Sequence, residues 1–240
     1  MPPDSPELQI LLPIHNEAES IAATVREIYE EVSPLARLEF LLCEDGSKDN
    51  TKEVLRALAK EVPAKLLLSE GRKGYSRAVR DGMMEMQAPF LLCLDSDGQC
   101  NPKDFRGFWE NRNKADVLIG WRVERADTWL RKTMSRTFFG IWKSLYRVPI
   151  HDPSCPFVLA RKEVIEGVAA KMGAMSEGFW WEFSARASRL GYKIHEFPVH
   201  HRLRAAGVTQ VYRLGKLPGI GYRHFIALFR IFRETRVGRR

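Results

Sequence analysis

The sequence predicts an α/β domain built on a largely parallel sheet covered by helices. Three observations predict it. Short apolar runs alternate with helical patterns through the first half of the chain. Three of those runs end in a polar, acid-bearing cluster. At 240 residues, 45% apolar and 28% charged, the chain is long enough to bury a core, which excludes a disordered class.

In chain order, Leu8–Ile14, Leu38–Cys43, Ala64–Leu68, Phe90–Leu94 and Val117–Gly120 read as buried strands. Between the first two, Ile21, Val25, Ile28 and Val32 recur at 4-3-4 spacing and mark one face of a helix. Ser47 to Thr51 offers cap residues for a second helix over 51–62. A third runs from Ser76 to Met86. This β-α-β-α-β order gives parallel strands with helical crossovers. Residues 127–147 are basic, aromatic and helical in pattern. Residues 178–190 form another helix, ended by Gly191, and Lys193–Val199 a further strand.

The net charge of +8 is unevenly placed. From Arg202 to Arg240 ten lysines or arginines face one acid, Glu234, whereas residues 1–201 hold 28 basic and 29 acidic side chains. The basic character is a C-terminal patch. Cys43, Cys93, Cys100 and Cys155 include no CxxC pair, so neither a zinc ribbon nor a redox motif is indicated. Cys43 and Cys93 lie in apolar runs as small hydrophobes, and a reducing cytosol suits all four. No secretory signal is expected at the N-terminus, and no uncharged run reaches the ~20 residues that span a bilayer.

Ligands of parallel sheets gather at the carboxyl ends of the strands. Pro13 to Glu17, Glu44 to Asp49 and Asp95 to Gln99 all fall there. Asp95 and Asp97 are two carboxylates one residue apart, a donor set for a hard cation that can bridge a diphosphate leaving group, and Gln99 adds a neutral oxygen. The same residues also suit a solvated turn around Gly98. Asp45 can accept from a base or ribose, or belong to an ordinary strand–turn–helix junction capped by Ser47 or Asp49. Gly71 to Arg77 is a glycine-bearing basic loop before a helix, where backbone N–H groups and Lys73 suit a phosphate. Walker spacing and GxGxxG are both absent, so ATPase and dinucleotide readings lose their support.

Taken in order, these residues resemble the family 2 glycosyltransferases of GT-A fold, in particular the branch that transfers sugars to dolichyl or polyprenyl phosphate. The family's Pro-x-x-Asn-Glu is matched by Pro13, Asn16 and Glu17, and its Asp-Gly-Ser element by Glu44 to Thr51. The Gly-Lys-Gly-type loop appears as Arg72-Lys73-Gly74 through Ala78, Asp-x-Asp-x-Gln as Asp95 to Gln99, and Gly-x-Arg as Gly120 to Arg122. Gly-Phe-x-x-Glu is Gly178 to Glu182. The Asp-x-x-x-Gly-Phe-Arg element departs from the pattern: it reads Asp152 to Val158, with Pro156 for Gly and Val158 for Arg.

The resemblance implies a GT-A catalytic domain over 1–204, built on a mixed, mainly parallel sheet, and a nucleotide-sugar donor. Pro13, Asn16, Glu17 and Asp45 would hold the nucleoside, with Lys73 and Ser96 at the phosphates. Mg2+ or Mn2+ would sit on Asp95, Asp97 and Gln99. Arg202 or Arg204 would close over the diphosphate, and Arg122, Arg131 and Ser135 would hold the acceptor phosphate. A sugar hydroxyl acceptor needs a general base, and the Glu-Asp pair and Gln-x-x-Arg-Trp motif that supply one elsewhere are missing after residue 150. A phosphate monoester, with a second pKa of about 6, arrives ionised. Polyprenyl phosphate is therefore the expected acceptor.

Residues 205–240 read as a basic amphipathic segment for a membrane surface. Ile220–Arg236 sets Gly221, Phe225, Leu228, Phe229 and Phe232 on one face, with Arg223, Arg230, Arg233 and Arg236 largely elsewhere. Trp129, Leu130, Phe138, Phe139 and Trp142 can join the same surface. The expectation is a cytoplasmic protein peripheral on the cytoplasmic membrane face. One alternative is transfer to a saccharide hydroxyl with Glu177, Glu182 or Asp152 as base. Another is a non-catalytic homologue that binds lipid or nucleic acid, although no nucleic-acid motif occurs.

Overall fold

The computed structural model describes residues 5–123, 129–202 and 217–235, with the side chains of 129–137, 217, 218 and 220 outside that description. A seven-stranded sheet organises them, in the order β3-β2-β1-β4-β6-β5-β7. Its strands are β1 Leu8–Ile14, β2 Leu38–Glu44, β3 Ala64–Leu68, β4 Phe90–Cys93, β5 Val117–Arg122, β6 Val158–Arg161 and β7 Ile194–Val199. The β1 strand pairs in parallel with β2 and β4, β2 with β3, and β5 with β7. The β6 strand runs antiparallel between β4 and β5, so six strands share one direction. This is the mixed, mainly parallel sheet that the resemblance implies.

The helices are α1 Ile21–Val32, α2 Thr51–Leu58, α3 Tyr75–Met84, α4 Phe105–Glu110, α5 Trp129–Tyr146, α6 Lys162–Ala169, α7 Phe179–Arg189 and α8 Leu217–Glu234. The 4-3-4 stripe of α1 is its inner face, with Ile21, Val25, Ile28 and Val32 at most 3% exposed. Cys43 and Cys93 are core residues, and burial pushes the Cys43 thiol up to about 12, which keeps it protonated and inert. The β3 strand corrects its expected full burial. It pairs on one side only, so its side chains are half-buried and Leu68 is exposed.

The α5, α7 and α8 helices meet at a buried polar junction. Glu182 of α7 is fully buried and accepts from the N–H groups of Gly173 (3.1 Å), Ala174 (3.1 Å) and Met175 (2.8 Å), and from Arg186 Nε (2.8 Å). Arg186 continues to Glu234 of α8 at 2.8 Å, which also accepts from Arg230 at 2.7 Å. The Tyr146 hydroxyl of α5 donates to the Leu228 carbonyl of α8 at 2.6 Å.

The inner face of α8 is His224, Ala227, Leu228 and Ile231, followed by the buried Thr235, and its outer face carries Tyr222, Phe225, Ile226, Phe229, Arg230 and Arg233. The apolar face expected from the sequence is thus divided: Leu228 is core, Phe232 half-buried, and Phe225 and Phe229 face outward. Trp142 is likewise fully buried against Trp181, so it is not a surface residue; Phe138 and Phe139 also pack on that ring. Among the described residues no helix is long and apolar enough to cross a membrane.

Removing one partner of a buried ion pair leaves the other charge uncompensated, at about 3–5 kcal/mol. Glu182→Ala is expected to lower stability by that amount in urea denaturation; a loss under about 1 kcal/mol would contradict the clamp. A second expectation concerns pH. Burial holds the His224 imidazole below its ordinary value, with Arg223 adding to the shift and Glu177 opposing it. Burial works against Glu177 ionising, but Ser176, Arg223 and His224 together hold its carboxyl below the usual range. Both folded values are depressed, so both contributions are present above the unfolded values and withdraw as pH falls through the folded ones. Amide protection of α8 should therefore be complete above about pH 6.5 and weaken on acidification, less steeply in His224→Gln. Protection independent of pH between 7 and 5 would contradict it.

Candidate active site at the carboxyl edge of the sheet

The ends of β1, β2 and β4 converge here. At the end of β2, Glu44 and Asp45 are buried carboxylates that take up backbone N–H groups of the neighbouring loops. Glu44 accepts from Ser47 N and, at 3.3 Å, from Ser69 N. Asp45 Oδ1 accepts from Lys73 N at 2.5 Å, and its Oδ2 from Gly74 N at 2.9 Å. The glycine-bearing loop before α3 is thereby fastened to β2. Gly46 permits this approach twice over: its φ is +64°, and a Cβ there would stand 2.3 Å from the Gly71 carbonyl carbon and 2.4 Å from Arg72 N.

After β1, Asn16 adopts a left-handed φ of 53°. Its amide oxygen accepts from Lys48 N at 2.8 Å and its own N–H donates to Ser47 Oγ at 2.9 Å. Glu17 N donates to Thr51 Oγ1 at 2.9 Å. After β4, the buried Ser96 hydroxyl donates to the Pro13 carbonyl at 2.6 Å, which ties the Asp95–Asp97 turn to β1. Asp95 and Asp97 flank that anchor and are half-buried. Asp97 Oδ1 accepts from Gln99 N at 3.1 Å. Asp95 Oδ1 accepts from the Tyr75 hydroxyl at 2.8 Å, and the same hydroxyl accepts from Trp180 Nε1 at 2.8 Å. Tyr75 is 38% exposed as a whole, but desolvation of its hydroxyl, with the Asp95 charge adding to it, pushes that group above its ordinary value, so it is a neutral donor.

Gln99 donates through Nε2 to the Arg202 carbonyl at 3.2 Å and accepts Arg202 N at 2.8 Å on its own carbonyl. The segment carrying Arg202 therefore starts from the aspartate turn. Pro13, Asn16, Glu17, Asp45, Lys73, Ser96 and Gln99 are all tied to these three strand ends. Tyr75 and Trp180 belong to the edge as well. The sequence signal for Tyr75 is its place directly after a loop glycine at a helix start; Trp180 has none, because α7 reaches the edge only in the tertiary fold.

The cations expected at phosphates have acidic partners here. Lys73 Nζ lies 2.6 Å from Asp81, and Arg202 donates to Glu27 and to Asn101, each at 2.6 Å. Arg122 forks onto Asp152 at 2.7 and 3.0 Å and reaches Ser154 at 2.7 Å. Burial opposes its charge most, but the Asp152 hydrogen bonds and charge prevail and hold the guanidinium above its ordinary value. Glu196 supports the same loop by accepting from His151 N at 2.7 Å and Asp152 N at 2.9 Å. The side chains of Arg131 and Ser135 on α5, and all of Arg204, lie outside the described residues.

Residues 9–168 match the family model described as Glycosyl transferase family 2. The chain belongs to that family. A relative, dodecaprenyl-phosphate galacturonate synthase of Rhizobium johnstonii, is 30% identical over 87% of this chain and 63% of its own. Dolichyl-phosphate beta-glucosyltransferase of Trichomonas vaginalis is 29% identical over 82% of this chain and 66% of its own. The chain thus spans less than two thirds of these curated relatives. Among solved structures, glucosyl-3-phosphoglycerate synthase of Mycobacterium tuberculosis with Mn2+, UDP and glucosyl-3-phosphoglycerate superposes at TM-score 0.70 and 16% identity, over 95% of this chain and 80% of that one. The fold is GT-A, as the resemblance implied.

Among the described residues no group of three or more His, Cys, Asp or Glu gathers as a protein-only metal cage. The Asp95–Asp97 pair instead has the donor chemistry of a site that completes its shell with substrate. Mg2+ is characteristically held by one or two carboxylates plus phosphate oxygens and water. The edge fits such an ion.

The left-handed turn at Gly46 gives a test of how this edge is held. Gly46→Ala meets both backbone strain and the 71–72 loop, and strain of this kind costs about 1–3 kcal/mol. The urea midpoint should fall correspondingly; an unchanged midpoint would show that the loop is not fastened here.

Proposed function

We propose that this family 2 chain transfers a sugar from a nucleotide diphosphate donor to a polyprenyl or dolichyl phosphate, with inversion at the anomeric carbon. The observation that carries this reading is on the acceptor side: the acids considered as general bases are held by internal partners. Glu182 is fully buried under four donors. Asp152 is 4% exposed and forked by Arg122. Glu177 accepts from Ser176 at 2.6 Å and from Arg223 at 2.9 Å. A hydroxyl nucleophile would need a general base; a phosphate oxygen, already anionic, needs positioning alone. The names of the relatives that act on prenyl phosphates support the same acceptor.

In this reading Pro13, Asn16, Glu17 and Asp45 border the nucleoside, and Lys73 and Arg202 or Arg204 meet the diphosphate. Asp95 and Asp97, with Gln99 beside them, would hold Mg2+ or Mn2+, and the ion when bound supplies charge stabilisation to the departing diphosphate. Arg131 and Ser135 of α5 are assigned to the acceptor phosphate, with Arg122 bracing the adjoining loop. The outer face of α8 is assigned to the cytoplasmic surface of a membrane. Its exposed Tyr222, Phe225, Ile226 and Phe229 stand beside Arg223, Arg230 and Arg233. An open cavity of about 590 Å3 is lined there by Ile226, Phe229, Arg230, Arg233 and Glu234. Apolar rings flanked by arginines suit an anionic interface.

The test is an assay of the full chain with UDP- and GDP-sugars, Mg2+ or Mn2+, and either polyprenyl phosphate or free saccharides as acceptor. Transfer to the lipid phosphate is expected. Asp95→Ala and Asp97→Ala should each lower kcat/KM at least about 100-fold with circular dichroism unchanged. Transfer to saccharides alone would replace the proposed acceptor, and full activity of either variant would remove the pair from the site.

A further inference from the structure

We propose that Tyr75, braced by Trp180, is a positioning residue that fixes the rotation of the Asp95 carboxylate and so the direction in which it meets the divalent cation. This rests on the reading of Asp95 as a metal ligand given above.

The direction of the hydrogen-bond chain follows from chemistry alone. An indole N–H only donates, an ionised carboxylate only accepts, and a phenol does both. With Trp180 Nε1 and Asp95 Oδ1 each 2.8 Å from the Tyr75 oxygen, the hydroxyl must accept from the indole and commit its one proton to Asp95. The indole therefore sets the rotor of the hydroxyl, and the hydroxyl sets the carboxylate.

Tyr75 is 38% exposed, so its place is set by the contacts around it. Its backbone follows Gly74, whose N–H is held by the Asp45 carboxylate at the end of β2. The next residue, Ser76, donates to the Ser176 carbonyl at 2.5 Å, on the loop leading to α7. The ring meets Phe179 edge-on at 6.5 Å, and Phe179 meets Trp180 edge-on at 5.1 Å. Phe179 and Trp180 are 4% and 6% exposed. Tyr75 thus links β2, β4 and α7 at one of the two carboxylates assigned to the cation. Groups that hydrogen-bond a ligating residue typically change metal affinity 10- to 100-fold when lost.

Tyr75→Phe keeps the ring and removes only the hydroxyl. Mn2+ is titrated into the full chain, with and without UDP, and free Mn2+ is followed by electron paramagnetic resonance. Tyr75→Phe should bind Mn2+ about 10- to 100-fold more weakly with its melting midpoint within a few degrees of the parent. Trp180→Phe should weaken binding less, because the hydroxyl can still reach Asp95. The double variant should be no weaker than Tyr75→Phe alone, as expected of residues acting through one chain. Parental Mn2+ affinity in Tyr75→Phe, alongside loss of affinity in Asp95→Ala, would overturn the positioning role and leave the metal site standing. Parental affinity in Asp95→Ala would overturn the metal site and the inference together.

Discussion

Buried carboxylates that accept backbone N–H groups hold this molecule's functional edge in shape. Loops at a sheet edge carry main-chain donors that must be paired once water is excluded, and an ionised acceptor makes such bonds roughly twice as strong as a neutral one. Glu44 and Asp45 do this for the loops after β2 and β3. Asp49, although exposed, makes bonds of the same kind to the start of α2 and to Ala18. Glu196 does it for the loop before β6, and Glu182 for the loop before α7. The acids that look like chemistry in the sequence are thus partly the reason a chemical site can exist. They fix the neighbouring loops, while the Ser96 hydroxyl fixes the turn that carries Asp95 and Asp97.

The same device attaches α8. Glu182 organises its own loop and also orients Arg186, which reaches Glu234 across the helix interface. Tyr146 adds a bond to a carbonyl of the α8 backbone. With these polar contacts and Leu228 and Ile231 facing inward, α8 docks without using all its apolar side chains. Phe225, Ile226 and Phe229 are left outside. One helix therefore has two apolar faces, one buried and one exposed, where the sequence pattern suggested one.

Strands β1 to β5 were legible because each is an apolar run ended by turn residues, and the amphipathic stripe of α1 was equally direct. The β6 strand was not. It is four residues long, follows a proline-containing segment and passes directly into α6 at Lys162, so neither length nor alternation marks it. Its antiparallel placement between β4 and β5 is a tertiary outcome. At the site, the positions of Asp45 and Asp95 could be read, but their partners could not. Lys73 and Gly74 lie 28 and 29 residues from Asp45, and Trp180 lies 105 residues from Tyr75. Local pattern carries the donor set; long-range pairing decides which donors are shared.

Three cations that the sequence assigns to phosphates each sit beside an acid, and magnitudes separate them. Lys73–Asp81 and Arg202–Glu27 are pairs with side chains 37 to 42% exposed. Solvated pairs of that kind contribute about 0–1 kcal/mol, so a diphosphate carrying several charges can draw either cation away at small cost. Arg122–Asp152 is a two-point fork with side chains 14% and 5% exposed. Breaking a buried pair of that kind costs about 3–5 kcal/mol, because the carboxylate is left desolvated. Glu196 also holds the backbone of Asp152, so the acid cannot easily follow its partner outward. Lys73 and Arg202 are therefore held to their acids far more loosely than Arg122, which is fastened to the 151–157 loop.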